Sequence, residues 1–133
     1  YHQLLSSFFD SGDVWGGGSR IAFGGFPVHW VGLLAVLDIQ GASSRLNTRF
    51  GLELQGYLPP FRRMGLGFYG GGGVIRARRD ELDTAYIESG GYYEGGGILQ
   101  IDITTRLAFE MRGGVWLRDD EVMPTFGLGF AVY

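Results

Sequence analysis

Between Leu46 and Leu58 the chain alternates with period two. Leu46, Thr48, Phe50, Leu52, Leu54, Gly56 and Leu58 share one side, against Asn47, Arg49, Gly51, Glu53, Gln55 and Tyr57 on the other. Successive side chains of a β-strand point to opposite faces, so this pattern predicts a strand with one greasy and one charged face. Arg106–Arg118 repeats it, with Leu107, Phe109, Met111, Gly113, Val115 and Leu117 against Ala108, Glu110, Arg112, Gly114, Trp116 and Arg118. At about 3.3 Å per residue, a strand of this length crosses an apolar layer even when tilted.

Weaker versions of the pattern cover Tyr1–Phe9, Val14–Phe23, Val28–Gln40, Met64–Arg76, Thr84–Ile103 and Pro124–Tyr133, which brings the expected count to about eight strands. Compact connectors are expected at Gly24–Pro27, Pro59–Arg62 and Thr104–Thr105. Polar ones are expected at Ser11–Asp13, Gly41–Arg45, Ala77–Asp83 and Asp119–Glu121. Tight turns at one end and polar loops at the other describe an antiparallel up-and-down barrel, and an even strand count puts both termini at the tight-turn end. Composition agrees. Each of the 25 glycines would penalise a helix interior by about 1 kcal/mol against Ala, whereas a curved, crowded sheet has uses for them. With 133 residues there is room for a single domain, 1–133.

Directly opposed residues in an antiparallel pair must face the same side, which tests any proposed register. If Gln40 opposes Asn47, then Asp38 meets Arg49 and Trp30 meets Tyr57 on the polar face, while Leu37 meets Phe50 and Leu33 meets Leu54 on the greasy one. In the later hairpin, Asp102 opposite Arg106 sets Leu99 against Phe109 and Gly96 against Arg112, and leaves Glu94 diagonal to Arg112.

Alternation alone does not say which face is inside. Large aliphatics fill the greasy face of nearly every strand, and Trp15, Phe23, Phe61, Tyr86, Tyr93 and Phe126 are expected near strand ends. The other face mixes charge with glycine. An eight-strand interior is narrow and suits paired charges among small residues better than rows of Leu and Phe, so the greasy face is expected to meet lipid. A soluble lipocalin-like binding barrel is the alternative. The longest apolar runs fall short of the roughly 20 residues of a helical span.

Gly95-Gly96-Gly97-Ile98-Leu99-Gln100-Ile101-Asp102-Ile103-Thr104-Thr105-Arg106-Leu107-Ala108-Phe109-Glu110 resembles the penultimate hairpin of the small OmpA/OmpX-like outer-membrane β-barrel superfamily, and Phe126–Tyr133 is similar to its closing strand. The resemblance covers about the last third of the chain and implies an architecture, a Gram-negative outer-membrane location and an aromatic-ended insertion signal. Tyr133 departs from that signal, being out of phase with Phe126, Leu128, Phe130 and Val132.

No residue pattern points to catalysis. His2 and His29 have no acidic or Cys neighbours at metal-ligand spacing, there is no Cys, and no Gly-x-Ser-x-Gly elbow occurs. Outer-membrane lipid A deacylases place a Ser directly after the His, whereas here His29 precedes Trp30 and His2 precedes Gln3. Gly70–Gly73 and Gly95–Gly97 lack the Lys-Ser/Thr of a phosphate loop. A net charge of −3 gives no basic stripe for nucleic acid. The expectation is therefore a non-enzymatic barrel without cofactor or metal, an anchor or packing subunit of a larger assembly, with a narrow porin-like channel as the alternative.

Two sets of residues carry that expectation. Asp38, Arg49, Glu53, Glu94, Asp102, Glu110 and Arg112 are expected to form a lumen network of ion pairs, since an unpaired buried charge is expensive. Gly91, Gly95, Gly97 and Gly113, on the greasy face, are expected to form a smooth wall against which another membrane protein packs, outer-membrane lipid covering the rest. Glycines that merely help the barrel curve are the competing explanation.

Overall fold

The computed structural model describes residues 1–10, 15–42, 45–58, 63–81 and 84–133. Eight antiparallel strands follow one another: β1 (His2–Asp10), β2 (Trp15–Val28), β3 (Val31–Ala42), β4 (Arg45–Tyr57), β5 (Met64–Glu81), β6 (Thr84–Asp102), β7 (Leu107–Arg118) and β8 (Glu121–Val132). Each pairs with its neighbours in sequence, and β1 pairs with β8 to close the barrel. The all-β, up-and-down architecture is the expected one, with both termini at the end that carries the β2–β3, β4–β5 and β6–β7 connections. That end is called the terminal end below, and the opposite one the far end.

The period-two pattern sorts side chains as required. On β4, Leu52 and Leu54 are 58% and 56% exposed, while Glu53 between them is 0% exposed. Outward-facing Leu4, Ile21, Leu33, Val74 and Phe130 continue the apolar surface around the other strands. Ten residue steps from Leu46 to Gly56, at about 3.3 Å each and tilted by about 40°, make this surface about 25 Å tall, the height of the apolar band on outer-membrane barrels. Phe23, Tyr93 and Phe126 are outward and exposed, but none lies at a strand end as expected: β2 runs on to Val28, β6 begins at Thr84 and so makes Tyr93 its central residue, and β8 starts three residues before Pro124. The side chains of Trp15, Phe61 and Tyr86, and the connectors 11–14 and 59–62, lie outside the described residues.

Besides Gly41–Arg45, whose Gly41, Ala42 and Arg45 belong to strands, three connections differ from expectation. Gly24–Pro27 is not a turn: β2 continues to Val28, absorbing Gly and Pro in an irregularity between Gly25 and Val28, and the turn is His29–Trp30. A bulge is one of the few sheet positions that tolerate Pro, because the extra residue leaves the hydrogen-bond ladder. Likewise Ala77–Glu81 belongs to β5, so the β5–β6 hairpin extends past its neighbours and Thr84–Tyr92 has no backbone pairing with β7. Third, the β6–β7 turn is wider than expected. Ile103–Arg106 is looped, with the Thr104 hydroxyl oxygen accepting the amides of Arg106 and Leu107 at 3.2 and 3.0 Å. This shifts the register by two residues: Asp102 opposes Ala108, Leu99 opposes Met111 and Gly96 opposes Gly114. A shift of two preserves which face each residue occupies and changes only its neighbours.

Candidate functional site: a charged lumen and a bare outer wall

The β3–β4 register is the expected one, with Asp38 opposite Arg49, and the two side chains form an ion pair inside the barrel. Seven buried charges then line up in alternating sign. Arg49 Nη1 lies 3.7 Å from Glu94 Oε2, and Arg20 joins Glu94 (3.1 Å) to Glu53. Arg112 joins Glu53 (2.6 Å) to Glu110 (3.4 Å). The chain Asp38–Arg49–Glu94–Arg20–Glu53–Arg112–Glu110 crosses the lumen between β2, β3, β4, β6 and β7. At its ends the carboxylates accept hydrogen bonds from neutral donors, Gln40 Nε2 to Asp38 (3.2 Å) and Tyr1 OH to Glu110 (3.0 Å), with Gln3 also on Glu110. Gln55 Nε2 donates to Glu53 at 2.7 Å.

Aromatic faces cover the guanidiniums. Arg112 Cζ sits 3.8 Å from the centre of the Tyr69 ring, and Arg49 Cζ 4.9 Å from that of Trp116, close enough for a cation–π attraction that strengthens as water is excluded. On the far side of the network, Ile75, Tyr92, Trp116 and Met123 form a buried apolar cluster. The void among the charges measures about 30 Å3, room for roughly one or two water molecules.

Six of the seven expected lumen charges are in this network. Asp102 is not: it stands at the terminal end, where its Oδ1 accepts Gln100 Nε2 at 3.1 Å, and it has no cationic partner within ion-pair distance among the described residues. Nor does Glu94 pair with Arg112. The two-residue register shift places Glu94 opposite Trp116 and Arg112 opposite Ile98, so each reaches across the lumen to a different strand. Sequence reasoning missed Arg20, although it faces Asp38 across β2–β3 and lies between outward Ile21 and the glycines before it. Its signal was the Arg20, Ala22 against Ile21, Phe23 alternation, diluted by Gly16–Gly18.

Gly91, Gly95, Gly97 and Gly113 all lie on the outer surface, with Gly97 directly opposite Gly113. A Cβ built at Gly113 would meet nothing within 4 Å, one at Gly91 or Gly97 nothing closer than 3.9 Å, and one at Gly95 a backbone oxygen at 3.4 Å. Inward glycines differ sharply: a Cβ at Gly96 or Gly114 would stand 2.2 or 2.4 Å from backbone oxygen. Close approach of strands therefore demands glycine at inward positions such as Gly96 and Gly114 but does not explain the four bare outer positions.

Tyr133 has the inward parity, and its hydroxyl contacts Gln100 Nε2, which accounts for its being out of phase with the outward Phe130 and Val132.

No protein-family model matches the chain, and no curated protein resembles it in sequence. Solved structures do resemble it in shape. The crystal structure of Neisserial surface protein A superposes with a TM-score of 0.81 at 9% identity, over 98% of this chain and 93% of that one. Ail, the attachment invasion locus protein of Yersinia pestis, superposes with a TM-score of 0.63 at 12% identity, over 98% and 93% of the two chains. The same protein in complex with the heparin analogue sucrose octasulfate gives 0.63 and 12%, over 98% and 94%. At these identities the likeness is one of fold, and the chain has the closed eight-strand barrel of those proteins over nearly its whole length.

Proposed function

We propose that this chain is an integral barrel of a Gram-negative outer membrane, of the OmpA/OmpX-like type, that has no enzymatic activity and serves as an anchor or packing subunit of a larger assembly. One observation carries the reading: an apolar, solvent-facing exterior around a lumen of buried charge. A soluble barrel with this surface would leave far more than a few hundred Å2 of contiguous apolar area in water. Lipid is the medium that such a wall fits. The similar structures bear names of a surface protein and an attachment protein, which fits a cell-surface location.

The continuous ion-pair chain and the aromatic cluster beyond it favour a plugged lumen over a porin-like channel. The bare wall around Gly97 and Gly113 supports the packing role, because small residues in a membrane-facing surface let another protein approach closely. Membrane fractionation followed by gels of unboiled and boiled samples tests the core of the reading. A compact, detergent-dependent species that shifts on boiling is expected; a stable detergent-free monomer would refute it.

A further inference from the structure

Asp102 is the charge that the lumen network leaves out, and its surroundings suggest why. At the terminal end the lumen opens into a cavity of about 830 Å3. Gly65, the inward position of β5 that lines the cup, contributes to this room, because it places no side chain there. One side of the cup is an arc of aromatic rings. Phe26, Tyr57, Tyr133 and Trp30 line it; Tyr57 and Phe26 have centroids 5.9 Å apart, and Tyr1, outside the lining, joins Phe26 (4.8 Å) to Tyr133 (5.2 Å). Gln100, Asp102 and His29 supply the other polar side chains of the lining.

Polar contacts at this edge are one-sided. Gln100 Nε2 serves Asp102 Oδ1 and Tyr133 OH, which leaves Asp102 Oδ2 without a protein partner among the described residues. Deeper in the barrel the ion-pair chain ends on Glu110, and four carboxylates (Asp38, Glu53, Glu94, Glu110) face three guanidiniums (Arg20, Arg49, Arg112). The cup thus combines an aromatic and apolar lining with a carboxylate on one edge.

We propose that this cavity binds a small organic cation, an amine or quaternary ammonium on an apolar body, with its charge at Asp102 and its body against the aromatic arc. A mostly apolar concavity of several hundred Å3 with a few convergent polar groups is the form that small-molecule sites take. Anions are disfavoured by Asp102, and neutral molecules gain only the apolar contact.

The test uses the folded barrel in a non-ionic maltoside detergent, titrated calorimetrically with benzyltrimethylammonium, with 2-phenylethanol and with phenylacetate. The cation should bind at least about tenfold more tightly than either of the others. Asp102→Asn should weaken the cation about tenfold, the loss of one favourable charge contact, and leave 2-phenylethanol unchanged. Gly65→Leu should abolish binding of all three. A Cβ at Gly65 meets only Tyr57 Cδ1 at 3.7 Å and Gln100 Cβ at 3.9 Å, so the added side chain fills the cup without displacing backbone. Retention of the heat-modifiable band establishes that each variant is folded. Equal affinity for all three ligands, or an unchanged cation affinity in Asp102→Asn, would overturn the proposal.

Discussion

Glu53 and Arg112 provide the sharpest test of the lumen network. Their contact of 2.6 Å lies where both side chains are at most 4% exposed. With charge centres about 4 Å apart and an effective dielectric near 20, the gross attraction is about 4 kcal/mol. Arg112→Met removes the cation while keeping an apolar stem against Tyr69. It leaves Glu53 with Arg20 and Gln55, and Glu110 with Gln3 and Tyr1, so the loss should be about 3 kcal/mol, the lower end for breaking a buried pair. Glu53→Gln should cost a similar amount, because Arg20 keeps Glu94 and Arg112 keeps Glu110. Once one partner is gone the second has less to lose, so the double variant should fall short of the summed losses by about 2 kcal/mol. Reversible urea unfolding in lipid vesicles, followed by Trp fluorescence, gives all three values. Glu94 with Arg112 is the comparison: the two make no direct ion pair and are linked only through Arg20 and Glu53, so their coupling should be smaller, about 1 kcal/mol or less. If Glu53–Arg112 is additive, or if Glu94–Arg112 couples as strongly, the lumen does not hold the alternating chain of ion pairs.

Further outcomes follow from the same geometry. Gly113→Leu should fold normally and retain heat modifiability, whereas Gly114→Leu should not fold, because its Cβ falls 2.4 Å from the Gly95 carbonyl oxygen and 2.5 Å from the Tyr69 hydroxyl. If the outer wall is a packing surface, Gly113→Leu should also lose partners that co-purify with the unmodified chain from native membranes; retention of the full set would reduce the wall to a lipid contact. Planar-bilayer recording should show no steady single-channel current, and a reproducible open level would favour the channel. Thr104→Ala should destabilise the barrel by about 1 kcal/mol in the same urea assay, through loss of the hydroxyl that accepts two turn amides.

Strand identity and facing were legible because alternation is a local property of the chain. So was one register: Asp38 and Arg49 are opposite in charge, sit on long alternating strands and are joined by a short connector, and any slip by one residue would bury Leu37 against Arg49. The β6–β7 register was not legible for the converse reason. Its central positions are Gly95, Gly96, Gly97, Gly113 and Gly114, which offer no side chains to match, and the outcome rests on Thr104 holding a wider turn. Gly24–Pro27 has the composition of a turn, yet a bulge inside β2 uses the same residues for the same lack of a constrained ladder. The charge network was half legible: inward parity identifies its members, but Arg112 reaching Glu53 across the lumen joins residues 59 apart on strands that do not touch in the sheet. The bare outer wall was visible in sequence; that it is sterically unforced required the backbone.

Seven of the eight strand pairings join consecutive strands, and the eighth joins β1 to β8 across almost the whole chain. Hairpins with short connections can zip in microseconds, since the entropy of bringing their strands together is small. The β1–β8 seam has no such help, and until it forms both strands carry free edges, a state that the proposed membrane setting would make costly. Assembly is therefore expected to be limited by the seam, where Phe126, Leu128 and Phe130 meet Phe8, Ser6 and Leu4. A change that weakens this one line of pairing should slow closure far more than the same change between β3 and β4. It should also leave an open sheet whose two edges can pair with those of a second molecule.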